Sequence, residues 1–106
     1  MRDLSLVREF ANDSRQEWAA VGLRKGYMYM ADLATEPRWS RINGTFGENS
    51  EWVAKMIREI VLGFKGEKLN TKSVALTTKH FPCGGSGKDG QDSHFEWGKA
   101  EWLTCL

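Results

Sequence analysis

Long apolar runs, excess charge of one sign, cysteine and proline are all scarce in this chain of 106 residues. No apolar run approaches the roughly 20 residues that a membrane-spanning helix needs. The opening Met1-Arg2-Asp3-Leu4 has no basic segment leading into an apolar one, so no signal peptide is visible and the compartment stays unassigned. A net charge of +1 gives no electrostatic reason to expect nucleic acid or an anionic membrane as partner. The two cysteines, Cys83 and Cys105, leave open whether they pair; two free thiols in a reducing compartment is the simpler reading. Pro37 falls in a loop, and Pro82 stops a strand because it has no N–H to give to a ladder. Internal repeats and low-complexity segments are absent.

What is present describes an ordinary folded chain. Hydrophobic residues at 41% and charged residues at 27% exclude a disordered one, and the length allows at most one domain. Tryptophan is over-used, with five copies. Trp18 and Trp52 lie in helical patterns and read as core. Trp39, Trp97 and Trp102 lie in loop-like sequence, where a broad apolar face with a polar N–H at its edge suits the C–H face of a sugar ring.

Leu6, Val7, Phe10, Ala11, Ser14, Trp18 and Val21 recur at three- and four-residue steps, which predicts a helix over 4–21 that ends at Gly22. Tyr27-Met28-Tyr29-Met30-Ala31 reads as a strand, bulky on both faces as though covered on both. A long loop, 32–49, comes next. Asn49 or Ser50 then caps a second helix, in which Trp52, Val53, Met56, Ile57, Ile60, Val61 and Phe64 form an apolar stripe. Glu51, Lys55, Arg58 and Glu59 are expected on its wet face, and Gly66 ends it. A β-branched run over 73–78 forms the next strand and delivers Lys79 and His80. A glycine-rich loop, 83–90, leads on to Asp92-Ser93-His94.

Helix, strand, loop, helix, strand, loop is the order of an α/β fold with a parallel sheet, whose ligands collect at the carboxyl ends of the strands. Arg38, Arg41, Lys79 and His80 are therefore expected on one face. Two parallel strands and two helices cannot close a sheet, and no strand comes after the last loop before Leu106. The pattern predicts a slice of a larger barrel, not a whole domain.

Four blocks together resemble the family 3 glycoside hydrolases, in particular their β-glucosidase-like members. They are Glu36-Pro37-Arg38-Trp39-Ser40-Arg41, Gly44-Thr45-Phe46-Gly47-Glu48, Lys79-His80-Phe81-Pro82, and Asp89 through Lys99. The resemblance covers the chain from the first helix onward. It implies that residues 1–106 are a partial N-terminal domain, a fragment of a (β/α)8 (TIM-type) barrel holding central βα units. It further implies hydrolysis of terminal, non-reducing β-D-glucosyl residues with retention, by a larger enzyme of which the rest is the natural partner. The substrate would be a β-glucoside or oligosaccharide. The family's Lys-His pair and the second arginine of its Pro-Arg-Trp-Gly-Arg motif hold the sugar, which carries over to Lys79, His80 and Arg41. Charged donors suit this work, since they make stronger hydrogen bonds to hydroxyls than neutral ones do. Asp89 and Asp92 are further substrate-binding candidates. Ser40, Asn43 and Cys83 depart from the family's pattern but remove no sugar ligand.

A retaining glycosidase needs two groups flanking the bond, typically carboxylates about 5–5.5 Å apart. The family's nucleophile is an aspartate on a later strand, expected beyond Leu106, so the isolated chain is expected to be inactive. Asp89 and Asp92 are less suited to be that pair, because loop aspartates mostly form turns. Asp92-Ser93-His94 leaves an alternative open: N-acetylglucosaminide-cleaving members carry Asp-Ser/Thr-His, whose His serves as acid/base beside the Asp. His94 and Asp92 are thus a candidate acid/base dyad of a β-N-acetylhexosaminidase. A non-catalytic carbohydrate-binding fragment is the third reading.

No cofactor and no metal are expected. Gly84-Gly85-Ser86-Gly87-Lys88 fails as a phosphate loop, with Pro82 where glycine is needed and Asp89 where Ser or Thr is needed. His80, Cys83, His94 and Cys105 match no standard zinc spacing.

Overall fold

Asp3 starts the first helix by accepting hydrogen bonds from the backbone N–H and the hydroxyl of Ser5, which hold its carboxyl below the usual carboxylate range. The computed structural model describes residues 3–81 and 87–91. They fall into two units, 1–29 with 54–77 and 30–53 with 78–106.

In the first unit α1 runs Leu4–Ala20 and β1 is Lys25–Gly26; α2, Ser50–Lys65, supplies most of its length, and β2 is Ala75–Leu76. The two strands pair in parallel, Lys25 with Ala75 and Gly26 with Leu76. The expected helices are therefore present, within a residue of their predicted ends. Arg24 donates to the Ala19 carbonyl in the last turn of α1, which also accepts from the Gly22 N–H. Asn49 is the cap of α2: its side-chain oxygen accepts from the Trp52 N–H at 2.8 Å.

Gly63 sets how closely the helices pack. A Cβ there would lie 2.5 Å from the Ala11 Cβ and 2.8 Å from the Arg8 carbonyl oxygen, so only glycine permits this approach. Glu59 lies one turn earlier on the same face of α2 and Arg8 one turn earlier on α1, and the two form an ion pair. Glu59 also accepts from Arg58. Glu59 is consequently buried, not on the wet face where its charge alone would put it. The core of this unit is Ala11, Ile60, Phe64 and Val74, with Trp18 edge-on to Phe64 at 5.9 Å. Leu6, Phe10 and Val21 of the expected stripe on α1 are exposed, so Val7, Ala11, Ser14 and Trp18 carry its packing.

The expected strands are shorter than their composition suggests. Over 25–31 only Lys25–Gly26 pair as a strand, and Met30 pairs singly with Lys79; over 73–79 the paired residues are Ala75–Leu76 and Lys79. Tyr27 is 69% exposed, which corrects the expectation of cover on both faces. Strand extent depends on what the neighbouring segment offers as well as on β-propensity.

In the second unit the Met30–Lys79 bridge is parallel, and the Ala31 N–H donates to the Lys79 carbonyl at 2.7 Å. The loop over 32–49 folds back on itself through Ala34 N–H to the Gly47 carbonyl. It contains a 3-10 turn at Ile42–Gly44 and buries Trp39. A second such turn, Lys88–Gly90, packs on the chain at Arg38 and Trp39.

A Gly63→Ala substitution separates helix propensity from packing. In an exposed helix it would gain about 1 kcal/mol. Here the overpacking against Ala11 and Arg8 reverses the sign, and urea unfolding is expected to show a loss of about 1–3 kcal/mol. A stabilised variant would contradict the close approach.

Candidate functional site

The parallel pairing at Met30 and Lys79 sets two segment ends side by side, 30–32 and 78–80. Each end continues into polar sequence. Asp32, two residues past Met30, has its side chain only 3% exposed. Its Oδ2 accepts from the His80 backbone N–H at 2.9 Å and faces the His80 Nδ1 at 3.0 Å. The His80 side chain keeps 25% of its surface exposed, so the ring reaches from a buried carboxylate to solvent. The peptide bond between Lys79 and His80 is cis. Lys79 is half-buried beside it.

Arg41 is held differently. Its guanidinium carbon lies 5.4 Å from the centroid of the Trp39 ring, within cation–π range. Trp39 is 2% exposed, so this loop tryptophan offers no open face to a sugar. It anchors the loop and gives Arg41 a surface to lie on. The preceding Glu36-Pro37-Arg38 forms a tight turn, with Trp39 N–H donating to the Glu36 carbonyl.

Arg38 is not turned to the same task. Its guanidinium donates to both carboxylate oxygens of Glu36, each at 2.8 Å, and pairs with Asp89 at 2.9 Å. Asp89 sits in the turn Lys88–Gly90 at φ 57°, a left-handed conformation that aspartate tolerates. Gly90 lies so close to Arg38 that a Cβ would fall 2.6 Å from the Arg38 carbonyl carbon. The glycine-rich loop is thereby tied at its far end to the arginine loop.

Of the residues singled out in the sequence, the second unit thus contains Arg41, Lys79, His80 and Asp89, with Asp89 engaged by Arg38. Asp92 and His94 lie outside the described residues, as do Cys83, Cys105, Trp97 and Trp102. Among the described residues no group of three or more His, Cys, Asp or Glu is placed to hold a metal ion. Sequence reasoning missed Asp32 and Glu36. The signal for Asp32 was present: a carboxylate directly after an apolar strand end, where α/β folds collect functional groups. That signal is weak by itself, since a loop aspartate is ordinarily a turn former.

Three comparisons with known proteins bear on this arrangement. Residues 1–102 match the profile of the glycosyl hydrolase family 3 N terminal domain. β-Glucosidase C of Emericella nidulans is 54% identical over 100 residues, which are 93% of this chain and 16% of that protein. A periplasmic β-glucosidase/β-xylosidase of Dickeya chrysanthemi is 50% identical over 99 residues, 92% of this chain and 15% of that protein. The chain therefore spans about a sixth of the length of these curated relatives. Among solved structures, a β-glucosidase from Listeria innocua superposes with a TM-score of 0.75 at 29% identity, over 84% of this chain and 13% of that one. A mutant form of that enzyme in complex with laminaribiose gives 0.77 at 28%, over 86% and 13%. The architecture is accordingly α/β, a fragment of a (β/α)8-type barrel.

The Arg38–Glu36 pair makes a prediction about acid. Hydrogen bonds from the Arg38 side chain, then from its backbone N–H, hold the Glu36 carboxyl at about 2 against an ordinary 4.5. A carboxyl whose pKa is lowered by folding stabilises the fold fully above 4.5 and loses that contribution as pH falls through about 2. Urea unfolding at stepped pH is expected to show a shallower acid loss in Glu36→Gln than in the native protein over that window. Equal slopes would show that Arg38 does not hold Glu36 in solution.

Proposed function

The chain belongs to glycosyl hydrolase family 3, and we propose that the protein carrying it hydrolyses terminal, non-reducing β-D-glucosyl residues with retention. Its substrates would be β-glucosides or β-linked oligosaccharides. The observation that carries the reading is the 54% identity to a β-glucosidase along nearly the whole chain. In it Lys79, His80 and Arg41 bind the sugar whose bond is cut. A hexose ring presents neighbouring hydroxyls that both donate and accept. An ammonium and a guanidinium supply charged donors, and an imidazole nitrogen supplies a donor or an acceptor by protonation state. Asp89 and Asp92 are further contacts to the substrate, Asp89 with its free geometry limited by Arg38.

Retention requires a nucleophile and an acid/base, and the rest of the enzyme supplies the nucleophile. This part of the barrel would bind and distort the sugar. Hydrogen bonds that tighten as positive charge develops on the ring lower the barrier, not only the KM.

Two measurements test the proposal. In the full-length protein Lys79→Ala should lose roughly 2–4 kcal/mol of transition-state stabilisation, about 30- to 1000-fold in kcat/KM on an aryl β-glucoside. Its melting temperature should stay near the native value. Near-normal activity, or activity lost only through a collapsed melting temperature, would remove Lys79 from the site. The 106-residue chain alone should give no turnover and no covalent adduct with a mechanism-based fluoro-glucoside. An accumulating glycosyl-enzyme on it would show that the nucleophile lies within these residues.

A further inference from the structure

We infer that Asp32 is a positioning residue for the sugar-binding site: its buried carboxylate fixes the tautomer and the orientation of the His80 imidazole, so that Nε2 is the nitrogen offered to the ligand. The inference rests on the reading of His80 as a sugar contact. Three observations carry it. Oδ2 of Asp32 accepts from the His80 backbone N–H at 2.9 Å, so it acts as an acceptor toward this residue. The same oxygen faces Nδ1 at 3.0 Å, and an acceptor opposite a ring nitrogen requires that nitrogen to carry the proton. Nε2 has no partner among the described residues.

Burial makes the arrangement specific. The Asp32 side chain is 3% exposed, and its other oxygen, Oδ1, is buried without a partner among the described residues. A buried carboxylate with one oxygen already unmatched can ill spare the hydrogen bonds it has, so the ring is held firmly. Because one oxygen grips both the backbone and the ring, it fixes the residue at two points. A neutral ring then presents Nε2 as an acceptor to a sugar hydroxyl, and a protonated ring presents it as a donor. Without the carboxylate both tautomers become available and the ring is free to turn over.

The test uses the full-length protein with 15N-labelled histidine, the His80 signals being those missing from a His80→Ala variant. The native protein should show Nδ1 protonated and Nε2 bare at a pH where the ring is neutral. Asp32→Asn should shift His80 toward the other tautomer or a mixture. If Asp32→Asn gives little folded protein, Asp32→Ser is read in the same way. In kinetics Asp32→Asn should cost roughly 10- to 100-fold in kcat/KM, as when a group orienting a functional histidine is removed. In a His80→Ala background the same substitution should cost less than about twofold, since the ring it positions is gone. An unchanged tautomer in Asp32→Asn, or a loss of equal size in both backgrounds, overturns the inference. If His80→Ala by itself leaves kcat/KM unchanged, the reading of His80 as a sugar contact fails, while the tautomer result still decides what Asp32 does to the ring.

Discussion

The parallel register that sets Met30 beside Lys79 is the constraint on which the candidate site depends. Parallel strands run the same way, so the segments leaving them emerge at the same end. Here one end continues into Asp32 and the arginine loop, and the other into His80 and the glycine-rich loop. A one-residue slip would turn alternate side chains to the opposite face. Asp32 would then no longer meet both the backbone and the ring of His80. The single bridge is short, and the hydrogen bond from Ala31 and the grip of Asp32 reinforce it.

Charge in this region is used in two distinct ways. Exposed Arg38 serves structure: it closes on Glu36 and Asp89 and ties one loop to the other. Half-buried Arg41 and Lys79 are the cations that the proposed division of labour assigns to a ligand. Surface ion pairs of the first kind are individually weak, yet a fork held by two oxygens of one carboxylate fixes a turn geometrically. The buried Asp32 is the costlier kind, which is why its contacts are more informative about function than the arginine fork.

Much of the architecture was legible because it rests on local periodicity and on end signals. Asn49 before Trp52-Val53 and Gly66 after Lys65 mark the second helix in the sequence as they do in the fold. Glu59 was misread for a physical reason: a helical wheel assumes that polar residues seek water. It cannot show that Gly63 lets Arg8 of another helix come close enough to pair with Glu59. Trp39 was misread in the same way. A tryptophan in a loop was assigned a ligand, while the loop itself uses the ring as its core. The family blocks identified Arg41, Lys79 and His80, but Asp32 lay just ahead of them, and its long-range partner, 48 residues away, is what shows that its carboxylate serves His80.

The central claim is that Lys79 and His80, held at the end of paired strands, contact a sugar. The most direct measurement is a crystal structure of the full-length protein soaked with glucose. One sugar hydroxyl is expected within hydrogen-bond distance, about 3 Å, of the Lys79 Nζ and another at the His80 Nε2, with Nδ1 still on Asp32. Glucose bound in the catalytic pocket with neither residue touching it would contradict the claim.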